Sequence, residues 1–117
     1  MTITPVLSVN FFLSNSGKEP VREWLKDRDK NDRKVIGEDI KLVQFRWPLG
    51  MPLVRKMDIN LWEIRSKLSN GRISRVFFSV KNTQLILLHA FIKKSNKTPK
   101  KEIDLALIRK KQWLSEV

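Results

Sequence analysis

Arg65 and Arg75 stand in two neighbouring strand-like runs, LWEIR and ISRVFF, and Lys93 and Lys94 leave a third, LILLHAFIKK. If these runs pair antiparallel, side chains from all three can converge on one face of a sheet. A set of cations placed in this way suits a phosphodiester. Arginine stabilises the charge that builds on the phosphoryl oxygens. Cleavage also needs a proton taken from the nucleophile and one given to the leaving oxygen. In RNA the nucleophile can be the neighbouring 2′-hydroxyl, so neither a metal nor a protein nucleophile is required. A Lys or His whose pKa is lowered by surrounding cations can act as the acid or base. The plain alternative is a group of ordinary solvated charges at strand ends.

Other chemistries fit less well. Gly17, Gly37, Gly50 and Gly71 stand apart from one another, so no glycine-rich loop is present to cradle a phosphate. His89 lies inside a strand-like run with no Ser or Cys partner at a suggestive spacing. A buried, hydrogen-bonded strand histidine is the ordinary reading of it. The chain has no Cys and a single His, which argues against a disulfide scaffold and against zinc. No metal or other cofactor is expected.

Lys and Arg number 24 against 12 Asp and Glu, giving a formal net charge of +12 on 117 residues. Such an excess attracts phosphate backbones, and it also suits an acidic protein partner. Four Trp and six Phe supply material for a core, so the charge does not imply disorder. The length suits one domain spanning residues 1–117. The N-terminal stretch lacks a secretory pattern, and no apolar run approaches the roughly 20 residues of a membrane-spanning helix. A cytoplasmic protein with no membrane contact is expected.

The elements that must position these cations can be read from the periods. Val6 to Leu13 reads as a strand, followed by a turn at Ser14 to Gly17. Pro20 suits a first helical position, and Val21, Trp24 and Leu25 share one helix face. A second helix is expected from about Asn31 to Phe45, with Ile36, Ile40, Val43 and Trp47 as its apolar stripe. The period then changes. Leu53–Met57, Leu61–Ser66, Ile73–Val80 and Gln84–Phe91 read as strands, with turns at Asn70-Gly71 and Lys81-Asn82. Leu85 to Leu88 is apolar throughout, as in a central strand covered on both faces. Thr98 and Pro99 fit an N-cap and first residue of a last helix. Ile103, Ala106, Leu107, Trp113 and Leu114 give that helix an apolar side, with Lys100, Lys101, Arg109 and Lys111 opposite. The order predicts an α+β fold: an antiparallel sheet of about four strands, two N-terminal helices and a C-terminal helix. Trp24 and Trp47 are expected in the core. Trp62, beside the cations, could instead stack on a base.

From Leu53 to Trp113 the chain resembles the HigB-like members of the RelE/ParE toxin superfamily. The features that carry the resemblance are LVRKM, LWEIR, the GRISR strand and, most specifically, LLHAFIKKSNKTP followed by a helix. The resemblance implies a RelE-like fold and the toxin of a type II toxin–antitoxin pair. It implies an mRNA endoribonuclease that works on the ribosome without a metal, through the RNA 2′-hydroxyl. The implied partners are ribosome-bound mRNA and a HigA-like antitoxin with a helix-turn-helix domain. Transition-state charge stabilisation is implied for Arg75 and Lys94, and proton transfer or substrate positioning for Arg65 and Lys93. His89 is a further candidate, and Lys56, Lys97, Lys100 and Lys101 would extend the RNA contact. The chain departs from its relatives in having no Tyr, and in placing Glu63 where some of them carry Lys.

Two rival readings stand beside this one. Asp58 with Glu63-Ile64-Arg65 is faintly similar to the metal-binding strand of PD-(D/E)xK nucleases, although the spacing is short and a third carboxylate is missing. A ParE-like gyrase inhibitor, or a protein that binds ribosome or nucleic acid without cutting, would carry the same charge.

Overall fold

The computed structural model describes residues 4–115, so the span 1–117 extends past the described residues at both ends. The elements are β1 (Ser8–Phe11), α1 (Pro20–Lys26), α2 (Lys30–Arg46), β2 (Val54–Asp58), β3 (Leu61–Lys67), β4 (Ile73–Lys81), β5 (Gln84–Lys93) and α3 (Lys100–Ser115). This is the α+β order expected from the periods.

The sheet differs from expectation in one strand. It has five strands in the order β1-β5-β4-β3-β2, and it is mixed. β2 to β5 form an antiparallel meander, whereas β1 runs parallel to β5, pairing Ser8 with Gln84 and Phe11 with Leu87. A parallel pair needs a long connection, which the intervening helices and strands supply. With β1 in place, β5 is paired on both edges. Its apolar run then splits by the two-residue period: Leu85 and Leu87 enter one core, Ile86 and Leu88 the other.

Local chemistry sets the boundaries. Asn70 and Gly71 both take positive φ, 60° and 70°, in the tight β3–β4 connection, the conformation that Asn-Gly adopts at least cost. Asp29 caps α2, accepting the Asp32 amide at 2.8 Å. Arg72 grips Asp32 through two hydrogen bonds, at 2.7 and 3.0 Å, tying the start of α2 to the β3–β4 turn.

The helices cover both faces. The stripe Ile36, Ile40 and Val43 of α2, with Val21 of α1, packs on Val54, Ile64, Val76, Phe78, Leu85 and Leu87. On the opposite face α3 lays Ala106, Ile103, Leu107 and Trp113 over Phe77, Ile86 and Leu88. Trp24, Trp47 and Trp62 all pack against the first core. Trp62 meets Trp47 edge-on at 4.9 Å and stacks on Phe78 at 5.7 Å, so it lies on the face away from Arg65.

Two assignments on α3 change. Leu114, expected on the apolar side, is exposed. Arg109, expected on the solvent side, turns inward and donates to the Leu88 carbonyl at 2.8 Å. A bulge explains it. Phe77 pairs with His89 and Phe78 with Leu87, so Leu88 has no partner on β4, and its carbonyl is free to accept.

Candidate functional site

Strand register decides which charged side chains share a face. Arg55 pairs with Glu63, Glu63 with Phe77, and Phe77 with His89. One row along, Arg65 pairs with Arg75 and Arg75 with Phe91; in the next row, Lys67 pairs with Ile73 and Ile73 with Lys93. Directly opposed residues point to the same side. Arg55, Glu63, Arg65, Lys67, Arg75, His89 and Lys93 therefore belong to the face that α3 only partly covers.

Glu63 is the centre of the charged cluster beyond the edge of α3. Its side chain is fully buried, with Oε1 3.6 Å from Arg65 Nε and 3.8 Å from Arg75 Nε. Its other oxygen accepts the Thr98 hydroxyl at 2.7 Å. This corrects the expectation for Thr98: its hydroxyl serves Glu63, and the Pro99 carbonyl instead accepts the Glu102 amide that opens α3. Two guanidiniums on one carboxylate leave the cluster with an excess positive charge.

The two arginines differ in access. Arg75 is fully buried. Its guanidinium donates to the Lys93 carbonyl at 3.4 Å and to the Ser95 carbonyl, and it sits over the Phe91 ring. Burial lowers its pKa, the Glu63 charge opposing that shift. In this conformation no phosphate from solvent reaches it. Arg65 keeps 17% of its side chain exposed. Among the described residues, its terminal nitrogens have no protein hydrogen bond. Arg65 lines a groove of about 220 Å³ together with Pro52, Lys67, Ile73 and Asn96. A second groove, about 310 Å³, lies between Arg55, Met57, Asn96, Lys97, Thr98 and Ile103.

Around these grooves Lys93, Lys94, Lys97, Lys100 and Lys101 are all exposed. Lys100 pairs with Asp104 at 3.4 Å, a contact of little energetic weight at such exposure. Lys56 stands elsewhere. It pairs with Trp62 and so points to the α2 side of the sheet.

His89 is in a different setting from Arg65. Phe77 stands between it and Glu63 in the register, and its ring stacks between Phe77 and Phe91 at 6.1 and 6.0 Å. Nε2 bonds the Glu102 carboxylate, and Nδ1 lies 3.4 Å from Arg109. Burial lowers its pKa, and the bond to Glu102 only partly offsets that. The arrangement fastens α3 to the sheet.

Asp58 and Glu63 do not form a cation site together. The Asp58 carboxylate accepts the Ile59 amide at 2.6 Å, while Glu63 is enclosed by arginines. Among the described residues, no three of His, Asp and Glu come close enough to hold a metal. No helix among them is long and apolar enough to cross a membrane.

Residues 23–111 match the family described as Phage derived protein Gp49-like (DUF891). The chain belongs to this family. Gp49-like proteins are a toxin-like family of toxin–antitoxin systems, which is consistent with a toxin role and suggests an antitoxin partner for this chain. No curated protein matches it.

For this Gp49-like protein, reading the sequence missed Arg55, Lys67 and Asn96. Lys67 was available, since counting by two from Arg65 reaches it; Arg55 opposes Glu63 only because the register shifts between Lys56 and Asp58, and no period announces that bulge. Asn96 lies in the irregular β5–α3 loop, where no period speaks.

Proposed function

We propose that this toxin is a HigB-like endoribonuclease that cuts mRNA on the ribosome, with the Arg65 groove as its phosphate site. The observation that carries the reading is the state of Arg65. Its Nε is held beside buried Glu63, so the guanidinium is oriented, while its partly exposed side chain lines a groove shared with Lys67. Lys93 extends the same face. A preorganised donor of this kind favours charge that develops in a transition state.

In the proposed reaction the RNA 2′-oxygen forms a bond to the adjacent phosphorus, and the bond from phosphorus to the 5′-oxygen breaks. One proton leaves the 2′-hydroxyl and one reaches the departing oxygen. Lys93 and Lys94, exposed at the end of β5, are the candidates for these transfers and for charge stabilisation. Arg55, Lys97, Lys100 and Lys101 would hold the flanking backbone. The antitoxin would be a HigA-like protein that covers this cationic face. The toxin would act in the cytoplasm.

The test is a map of RNA 5′ ends after brief induced expression in bacteria, comparing wild type with Arg65→Ala and Lys94→Ala. New ends inside translated regions, lost in the variants, would support the reading. Growth arrest without new ends would transfer the toxin to gyrase inhibition or to simple ribosome binding.

A further inference from the structure

We propose that Glu63 and Arg75 are positioning residues: together they clamp the loop from Lys94 to Pro99, and that clamp sets the spacing of the cations around both grooves. The effect on cleavage rests on the endoribonuclease reading. The effect on the loop does not.

Three bonds define the clamp. Arg75 donates to the carbonyls of Lys93 and Ser95. Glu63 accepts the hydroxyl of Thr98 at 2.7 Å. The loop is thus held near its start and at its far end from a single buried ion cluster. Ser95 adds a brace inside it, donating from its hydroxyl to the Lys97 carbonyl at 3.2 Å.

The place of the loop explains why its path matters. Asn96 lines both grooves, and Lys97 and Thr98 line the second. A shift of the loop therefore reshapes the wall between them. The other link runs through Glu63, which faces Arg65 as well as Arg75. One carboxylate thereby fixes the accessible arginine and the loop that carries the lysines.

Burying such charges is costly. A well-packed apolar set would stabilise the sheet at least as well, so the cluster earns its place through geometry. Glu63 Oε1 and the Nε atoms of Arg65 and Arg75 are buried without a hydrogen bond. Their ion-pair spacings are longer than a good hydrogen bond. This is what a shared carboxylate produces when two cations compete for one oxygen and the third bond goes to the loop.

The experiment uses the full chain with Thr98→Val, which keeps the shape of the side chain and removes the hydroxyl. Arg75→Lys serves as a second variant, keeping the charge but losing the two-carbonyl grip. Backbone order parameters for Ser95, Asn96 and Lys97 should fall from about 0.85 toward 0.6 or lower. On ribosome-bound mRNA, kcat should drop about tenfold with KM within about threefold, and Thr98→Ser should restore both readouts. Unchanged order parameters in both variants would overturn the clamp. A loosened loop with unchanged kcat would overturn its role in positioning. A wild-type protein that cuts no RNA would sink the endoribonuclease reading alone, and the order parameters would still decide the clamp.

Discussion

Arg65 Nε lies 3.6 Å from Glu63 Oε1, two residues earlier on the same face of β3. The pair joins a carboxylate closed off from solvent to a guanidinium that reaches a groove. Arg65→Ala should lower the single-turnover cleavage rate by about a hundredfold or more, the usual cost of losing one preorganised donor. Arg65→Lys should recover only part of it, because an ammonium has no planar fork. Stability should change by about 1 kcal/mol or less, since Arg75 still faces Glu63. Cleavage within about threefold of wild type would remove Arg65 from the site.

Arg75 should behave differently. Its side chain is fully buried and donates to the Lys93 and Ser95 carbonyls, so Arg75→Ala opens a cavity and unpairs both carbonyls as well as removing one of the two guanidiniums beside Glu63. A loss of roughly 3–5 kcal/mol is expected in urea unfolding. A loss below about 1 kcal/mol would mean that the ion cluster does not hold this part of the sheet.

These two arginines mark what the sequence could tell. Their adjacency was legible, because a two-residue period and an antiparallel turn put Arg65 opposite Arg75. Their difference in access was not. It depends on the loop after Lys93, whose path follows bonds from Arg75 and Thr98 and has no period. Thr98-Pro99 reads equally well as a helix start, and only the nearby carboxylate of Glu63 decides where the hydroxyl goes. The same limit applies to Arg109, which turns inward because Leu88 is bulged. By contrast, Leu85 to Leu88 announced a central strand plainly, since no edge position tolerates four consecutive apolar residues so well. The parallel strand β1 was harder to place, because pairing partners far apart in sequence leave no turn signal.

The His89 contacts carry a pH signature. Burial holds its folded pKa below the ordinary 6.5. Between these two values the unfolded chain binds more protons than the folded one, so stability rises with pH. This contribution is fully present above about 6.5 and is lost as pH falls through the folded pKa. The groups facing the ring are Glu102 and Arg109 from α3, with Phe77 and Phe91 beside it. His89→Gln should flatten the stability profile between pH about 7 and 5. An unchanged slope in urea titrations would assign the acid sensitivity to other groups.

Arg55 and Lys56 are neighbours in sequence on opposite faces of β2. Arg55 lines the second groove, and Lys56 pairs with Trp62 on the other side. Arg55→Ala should weaken binding to single-stranded RNA and reduce the salt slope by about 1. Lys56→Ala should do neither to a comparable degree. Equal effects from both would show that binding follows net charge rather than this face.

The central claim is cleavage at the Arg65 groove through the RNA 2′-hydroxyl. The most direct measurement uses ribosomes programmed with an mRNA carrying 2′-deoxy at the nucleotide preceding the cut. With ordinary RNA the account predicts a 2′,3′-cyclic phosphate on one product and a 5′-hydroxyl on the other. It predicts no cut with the 2′-deoxy substitution, and little with Arg65→Ala on ordinary RNA. A cut at the 2′-deoxy site, or products bearing a 5′-phosphate, would contradict it.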